Sequence, residues 1–383
     1  MNNIRKIYLL SLISFLVGMS QFIIVGILDK VAASVGVSIT TAGQLITAFA
    51  LAAAIGTPII MVATAKLDQR RQLLLALSIL ILGIVSTIAL PGFAFLMASR
   101  AILGVGSGVF VVTAYAIAAQ LAVPGRQGEA MSNIAMGFGA SLVFGVPIGR
   151  IIATVYDWQV IFWGIGILSL LGFLAVMKTI PATVGEAPMS LGKQVALLKK
   201  PKIAVALGIT FIVFTSYSMV NTYITPILAC VIPVSEQKMS SILFALGIAS
   251  LFGSKIGGLL ADRVGITRTL IGSMIVQALA LLLLTNSSGS MLESLPLLML
   301  WVIGAWTFGP TQSFNLVSLA EGSGIMLSLN SSFVQFGFAA GAGLGGIAVG
   351  GASIMAATWA GAALVIVAAS ISVLSLRVTR SSL

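Results

Sequence analysis

The chain has 383 residues, of which 59% are hydrophobic and 8% are charged. A water-soluble domain of this length could not bury so much apolar surface, so the composition excludes an ordinary soluble protein. The net charge of +11 could indicate nucleic acid as a partner. The positions of the basic residues indicate membrane topology and anionic lipid headgroups instead.

Apolar runs recur along the whole chain, for example over residues 7–28, 73–90, 160–177 and 269–284. These runs have about the 17–25 residues that a helix needs to cross the hydrocarbon core of a bilayer. Their continuity predicts helices, because the strands of a membrane barrel would alternate between apolar and polar residues. We predict an all-α integral membrane protein with twelve transmembrane helices, centred near residues 17, 52, 82, 108, 140, 168, 214, 250, 277, 305, 336 and 364.

The basic residues predict the orientation of the chain in the bilayer. Arg5 and Lys6 precede the first apolar run, which we interpret as a span and not as a cleaved signal peptide. If the N-terminus is cytoplasmic, only Lys30 and Lys238 fall in outer loops, and most other Lys and Arg residues fall on the cytoplasmic side. The positive-inside rule therefore predicts that both termini are cytoplasmic.

A polar segment at residues 179–202 divides the spans into two sets of six. We predict an N-terminal six-helix bundle at 1–178, a cytoplasmic linker at 179–202 and a C-terminal six-helix bundle at 203–383. Asp68 and Asp262 each end the second predicted span of their half, which indicates an internal repeat. Two bundles related by a pseudo-twofold axis along the membrane normal are typical of a secondary transporter that rocks between two states.

Two motifs resemble those of one transporter family. The run from Gly257 to Gly265 resembles the loop signature of the Major Facilitator Superfamily, and residues 63–71 form a degraded copy of it. Arg100, followed by glycines at 104, 106 and 108, resembles the fourth-span motif of the same superfamily.

Further motifs resemble a subgroup of that superfamily, the drug/proton antiporters. The sequence Gly145-Val-Pro147-Ile-Gly149 resembles their fifth-span motif, although Arg150 replaces its final Gly. Shorter matches resemble the arabinose-efflux and purine-efflux group; they are Ala42 to Leu45, Trp306 with Pro310 to Ser313, and Asn330 with Gln335 and Gly341.

The resemblance implies a transporter of the bacterial inner membrane that exports small organic molecules by alternating access. Drugs, nucleobases, nucleosides and sugar-like compounds are the substrate classes that it suggests. It also implies a monomer whose partners are a small-molecule substrate, protons and the lipid bilayer, with no nucleic acid. The gating residues that it implies are Asp68, Arg70, Asp262, Arg263, Gly145, Pro147 and Gly149.

The superfamily resemblance further implies that spans one, four, seven and ten line the substrate cavity. The substrate-binding residues that we expect are Gln21, Arg100, Tyr115, Tyr217, Asn221, Trp306, Gln312, Asn330 and Gln335. Their aromatic faces and amide groups suit a planar, weakly polar ligand. Trp301 and Tyr223 join this group, with membership of the outer aromatic belt as the alternative.

Gln21 lies in a first-span segment that resembles one where related exporters usually carry Glu. Three interpretations are open: a natural hydrogen-bond partner of the substrate, an engineered replacement that imitates a protonated Glu, or an interhelical hydrogen bond. Because no acidic residue lies in the middle of a predicted span, the coupling residues that we expect are Gln21, Asp29 and Arg100. Asp29, at the outer end of span one, is the remaining candidate for a proton carrier.

Two arginines lie inside predicted spans, where a guanidinium needs protein acceptors or must reach the headgroups. For Arg100 we favour substrate anchoring or coupling over snorkelling. Arg150 is nearer the outer surface, where snorkelling or pairing with Asp29 or Asp157 is favoured.

Small residues recur at four-residue intervals in spans five and eleven, and they include Gly137, Gly145, Gly149, Gly337, Gly341 and Gly345. Such ridges let helix backbones approach closely. Sliding surfaces between the two halves and simple tight packing are both consistent with them. Pro147 predicts a kink in span five.

The sequence offers no support for an enzyme. It contains no His and a single Cys, so we expect no metal site, haem or internal disulfide, and it has no phosphate-binding loop for ATP. We therefore expect no cofactor. Uptake by proton symport and passive conduction are the other transport modes that the sequence allows.

A cysteine-labelling experiment tests the predicted topology. In a Cys230→Ser background, a Ser190→Cys variant should react with membrane-impermeant reagents only after the cells are opened, because the basic linker is expected in the cytoplasm. Labelling at this position in intact cells would contradict the predicted orientation.

Overall fold

The fold is described from a computed structural model, which covers residues 3–90, 92–123, 127–182, 196–231, 235–285, 290–319 and 323–381. In these ranges every regular element is a helix. The chain divides into two compact units, Met1–Ser190 and Leu191–Leu383. Most of the predicted linker, residues 183–195, lies outside the described ranges.

The helices of the first unit form six spans and one short helix between the first and second spans. They are α1 (Asn3–Gly26), α2 (Leu28–Val35), α3 (Ile39–Ala63), α4 (Gln69–Ala89), α5 (Phe93–Leu121), α6 (Gln127–Ala140), α7 (Val146–Val155) and α8 (Gln159–Thr179). A π-helical turn, Ser141–Gly145, joins α6 to α7, and the three segments together form the fifth span.

The second unit contains the other six spans. Its helices are α9 (Pro201–Asn221), α10 (Ile224–Val231), α11 (Glu236–Arg263), α12 (Ile266–Thr285), α13 (Met291–Ser318), α14 (Ser323–Gly351) and α15 (Ala356–Ser381). The short helix α10 extends α9 beyond a break at residues 222–223.

Twelve helical segments of the described chain are long and apolar enough to cross a membrane. Each predicted centre falls inside one of them, from residue 17 in Asn3–Gly26 to residue 364 in Ala356–Ser375. The prediction of an all-α membrane protein with twelve spans is therefore confirmed. It succeeded because the apolar runs are continuous and the loops between them are short and polar.

Each unit has the same internal order of helix packing. In the first unit α5 packs along α3 and α4, α1 packs along the fifth span, and α4 packs along α8. In the second unit α13 packs along α11 and α12, α9 packs along α14, and α12 packs along α15. Corresponding spans therefore make corresponding contacts, as the internal repeat in the sequence suggested.

Glycines allow these helix pairs to approach to backbone contact. A Cβ added at Gly104 of α5 would overlap the carbonyl oxygen of Phe49 in α3. In the second unit, a Cβ at Gly257 of α11 would lie 2.5 Å from the carbonyl oxygen of Thr307 in α13. Small residues at such crossings are typical of membrane helices, whose association depends on close packing.

The glycine ridges of spans five and eleven pack inside their own units. Gly137 meets Ser11 of α1, whereas Gly341 meets Thr215 of α9. Gly139, which the sequence also offers as a small residue of span five, does not join the ridge of Gly137, because an added Cβ there would meet nothing within 4 Å. These contacts favour tight packing over the interpretation of the ridges as sliding surfaces between the halves.

The irregularity predicted at Pro147 takes the form of the π-helical turn that precedes it. Val146 N–H donates to the carbonyl of Ser141, five residues earlier. Proline has no N–H to donate, so the turn before it cannot close in the α-helical manner. A wider turn is one of the known ways in which a helix accommodates this break.

Two glycines in one helix provide a matched test of this packing. Gly137→Ala should lower the free energy of unfolding by about 1–3 kcal/mol, because its methyl group overlaps the Ser11 backbone. Gly139→Ala should be neutral or stabilising by about 0.5–1 kcal/mol, because its methyl group is free of clashes and alanine favours the helix. Apparent unfolding temperatures in detergent would compare the two, and equal temperatures would contradict this packing.

Candidate functional site

The fourth span carries a fully buried arginine. Arg100, in α5, is 1% exposed, and its Nη1 donates to the Ser20 carbonyl of α1 at 2.6 Å. Its guanidinium carbon lies 5.0 Å from the centre of the Phe162 ring in α8. The other terminal nitrogen, Nη2, is buried and has no partner in the described part of the chain. Arg100 thus joins three spans and retains a buried guanidinium nitrogen, Nη2, that has no acceptor in the described part of the chain.

Gln21 directly follows Ser20, whose carbonyl accepts the hydrogen bond from Arg100. The Gln21 side chain is half-buried and makes no hydrogen bond within the described ranges. The interhelical hydrogen bond that was one of the three interpretations is therefore not formed here. A half-buried amide in a membrane span with no protein partner is available to a ligand or to water.

Arg150 and Asp29 form an ion pair at the end of the first span. Arg150 Nη1 also donates to the Gly26 carbonyl at 3.1 Å. Gly26 is the last residue of α1, and Ile27 separates it from the start of α2. The Arg150 side chain is 4% exposed and that of Asp29 is 33% exposed. The suggested pairing with Asp29 is thus present, whereas Asp157 accepts from the Gln159 N–H at 3.0 Å.

The second unit contains an aromatic cluster around Tyr217 of α9. The Tyr217 ring stacks on Trp301 of α13 with centroids 5.3 Å apart and planes at 24°. Edge-on contacts with Phe214, Trp306 and Phe338 surround the same ring. Trp301 is 0% exposed, so its alternative assignment to an outer aromatic belt is wrong.

Two donors of this aromatic cluster lack acceptors. The Tyr217 hydroxyl accepts from Trp306 Nε1 at 3.2 Å, but its own proton has no acceptor among the described residues. Trp301 Nε1 is buried and has no partner there either. Tyr223, which the sequence grouped with them, is 0% exposed and donates to the Ala342 carbonyl at 3.1 Å. Tyr223 is therefore satisfied, whereas Tyr217 and Trp301 are not.

Gln312 and Asn330 belong to a separate polar network with Thr210. Gln312 Nε2 donates to the Ala206 carbonyl at 2.6 Å and to Thr210 Oγ1 at 3.2 Å. The Thr210 hydroxyl lies 3.0 Å from Asn330 Oδ1, and Asn330 Nδ2 lies 3.3 Å from Ser313 Oγ. All of these groups find protein partners, which favours a role in joining α9, α13 and α14 over substrate binding.

Three other predicted binding residues are half-buried and unbonded. Tyr115, Asn221 and Gln335 make no side-chain hydrogen bond within the described ranges. Asn221 follows Tyr217 by one helical turn, so these two residues lie on a similar face of α9. Thr210, Phe214 and Phe338 were not predicted from the sequence, because their residue types are too common in membrane spans to be selected.

The loop after span two is stabilised locally. Asp68 caps α4 by accepting from the Arg71 N–H at 3.0 Å, and its carboxylate lies 3.1 Å from Arg71 Nε. Arg70 instead donates to the Met177 carbonyl of α8. In the second unit, the motif glycine Gly265 has φ 100, a conformation that favours glycine. The Asp262 side chain lies outside what the structure describes, and Arg263 is exposed.

Comparisons with known proteins agree with this architecture. The model of the Major Facilitator Superfamily matches residues 10–321. An uncharacterised transporter of that type from Bacillus subtilis, YbcL, is 43% identical over 369 residues, covering 96% of this chain and 95% of the relative. YfhI, another uncharacterised transporter of that type from the same organism, is 26% identical, covering 94% of this chain and 90% of the relative.

Two solved structures share the fold. A bacterial homologue of the human lysosomal transporter Spinster, in an inward-facing and unoccupied conformation, has a TM-score of 0.80 at 15% identity. The alignment covers 98% of this chain and 97% of that structure. A mutant of the nucleoside transporter NupG has a TM-score of 0.77 at 14% identity, with 97% and 99% covered.

The buried position of Arg100 predicts a strong effect of its removal. Arg100→Ala should lower the apparent unfolding temperature and abolish transport, because a charge-assisted hydrogen bond of about 1.5–3 kcal/mol joins α5 to α1. Arg150→Ala should reduce transport less, since its ion-pair partner Asp29 has a side chain that is 33% exposed and that water can solvate when the pair is broken. Arg71→Ala, whose side chain is 72% exposed, provides the control. Near-normal transport by both Arg100→Ala and Arg150→Ala would refute this ranking.

Proposed function

The chain belongs to the Major Facilitator Superfamily of transporters, and we propose that it exports small organic molecules by alternating access. We place it in the bacterial inner membrane with both termini in the cytoplasm, in accord with the distribution of its basic residues. The motifs that resemble the drug/proton antiporter branch support export. Proton-coupled uptake of a small metabolite is the alternative, since the same architecture serves both directions.

The proposed substrate is a planar molecule with hydrogen-bond acceptors. The observation that carries this proposal is the pair of unpaired donors, the Tyr217 hydroxyl proton and Trp301 Nε1, in one aromatic cluster. Buried donors without acceptors are costly, and a bound oxygen or ring nitrogen would satisfy them. Asn221, one turn along α9, adds an amide that can pair in either sense. Nucleobases, nucleosides and planar drugs have this chemistry.

The proposed coupling group is the Asp29 carboxylate in its ion pair with Arg150. Protonation of Asp29 would remove the negative charge that holds Arg150 and so weaken the attachment of α2 to the fifth span. Gln21 cannot titrate, and it contributes a neutral hydrogen-bonding group near Arg100.

A ligand screen tests the substrate class. Planar nucleobases, nucleosides and aromatic drugs should raise the apparent unfolding temperature of the purified protein, because a ligand that binds the folded state stabilises it. Free sugars serve as the comparison, since they lack an aromatic face. Tyr217→Phe keeps the ring and removes the hydroxyl, so it should weaken binding several-fold. The control is Tyr156→Phe, at a tyrosine that is 63% exposed.

An unchanged ligand affinity in Tyr217→Phe would show that the aromatic cluster is not part of the substrate site. Stabilisation by sugars alone would overturn the planar substrate class. Inside-out and right-side-out vesicles, with and without a proton gradient, would then separate export from uptake for any ligand that binds.

The effect of Gln21→Glu on pH dependence tests the coupling scheme. The present chain should bind its ligand with little dependence on pH through Gln21, because the amide side chain stays neutral over the measured pH range. Gln21→Glu adds a carboxyl to a membrane span, so ligand binding and transport should become pH-dependent between about pH 5 and 9. Asp29→Asn, measured alongside, should abolish gradient-driven transport. If Gln21→Glu leaves the pH dependence of ligand binding and transport unchanged, the residue at position 21 has a packing role only.

A further inference from the structure

A groove of about 550 Å³ lies on the second unit between α12 and α15. Its floor includes Met274 and the small side chains of Ala278 and Ala369, which leave space between the two helices. Exposed apolar residues form its sides, among them Leu279 at 54% exposure and Leu374 at 58%. Both helices are membrane spans, so this groove opens on their apolar surface.

The chemistry of the lining excludes a polar occupant. Ser370 is the one polar residue among those that line the groove, and its hydroxyl already donates to the Ile366 carbonyl at 2.9 Å. No unpaired donor or acceptor therefore points to a ligand, in contrast to the cluster at Tyr217. An apolar concavity of this volume has the size of a ligand pocket and would accept a hydrocarbon chain.

The length of the groove matches one leaflet of a bilayer. It extends along α12 from Ile271 to Leu282, which is about 16 Å at the helical rise. The hydrocarbon core of a bilayer is about 30 Å thick, so the groove spans roughly half of it. On α15 it occupies Ile366–Leu374, the final part of the span. An acyl chain of a single leaflet therefore fits its extent.

A positive charge lies at one end of the groove-lining face of α12. Arg268 precedes Ile271 by three residues and Ile275 by seven, spacings that place it on the groove-lining face of α12. It is exposed and makes no ion pair within the described part of the chain. In the sequence, Arg377 follows Leu374 by three residues at the corresponding end of α15.

We propose that this groove binds one acyl chain of an anionic phospholipid, with the headgroup phosphate at Arg268. Arginine pairs well with phosphate oxygens, and the anionic headgroups of the cytoplasmic leaflet lie at the level where the positive-inside rule puts Arg268. The site is distinct from the aromatic cluster and would be occupied whatever the transported substrate is.

Native mass spectrometry of the full-length protein in detergent tests the proposal. Phosphatidylglycerol is the anionic probe, and phosphatidylcholine with the same acyl chains is the zwitterionic comparison. The wild type should retain phosphatidylglycerol several-fold better than phosphatidylcholine. Ala369→Leu fills the groove and should reduce phosphatidylglycerol retention several-fold. The control is Ala363→Leu, which adds the same side chain at an exposed position of α15 outside the groove lining and should retain lipid like the wild type.

The headgroup contact has its own variant. Arg268→Gln should abolish the preference for phosphatidylglycerol while leaving the retention of phosphatidylcholine unchanged, and excess inorganic phosphate should not displace the lipid. A preference that persists in Arg268→Gln, or full retention in Ala369→Leu, would overturn the proposal. A change of oligomeric state in Ala369→Leu, measured by light scattering, would assign the groove to a second copy of the chain instead.

Photo-cross-linking of the wild type tests the proposal without any variant, so it does not depend on whether a variant folds. Phosphatidylglycerol with a photoreactive group in its acyl chain should cross-link to residues of α12 and α15, mainly between 271 and 282 and between 366 and 374. Cross-links distributed evenly over all spans would contradict a defined site.

Discussion

Backbone contact between helices is the constraint on which each six-helix unit depends. Inside a bilayer, apolar side chains gain little by leaving lipid for protein, so association must come from close packing and interhelical hydrogen bonds. Gly104 against Phe49 and Gly257 against Thr307 supply such packing at corresponding helix pairs. These two crossings leave no room for even one methyl group, which fixes how the helices of each pair are rotated about their axes.

Helix carbonyls also serve as acceptors for the polar side chains that the spans contain. Arg100 binds the Ser20 carbonyl, Arg150 that of Gly26, and Gln312 that of Ala206. Each bond joins the first span of a unit to another span of the same unit. The polar groups that lack such acceptors stand apart from this structural set, and the aromatic cluster contains two of them. Those two donors are the groups on which the proposed substrate site rests.

The spans could be predicted from the sequence because hydropathy records burial in lipid directly. The side-chain contacts could not, because a span that is apolar on all sides does not show which face meets a neighbour. Trp301 was therefore ambiguous between the membrane interface and the interior, although the structure buries it against Tyr217. The partner of Arg150 was easier to predict, because an arginine in a span needs an acceptor and Asp29 was one of few candidates. Motif resemblance selected Gln312 and Asn330, but only the structure shows that both are satisfied within the protein.

The π-helical turn at Ser141–Gly145 has a consequence for the rotational phase of the fifth span. Four residues of an α-helix advance about 40° beyond one full turn, so a four-residue ridge drifts around the helix as it lengthens. Gly137, Ser141, Gly145 and Gly149 nevertheless all meet α1, at Ser11, Gly18, Met19 and Ile23. The wider turn holds more residues per revolution and absorbs part of that drift. Removing one residue from this turn would rotate α7 by about 100°, which would turn Arg150 away from Asp29 while every residue of the pair remained in the chain.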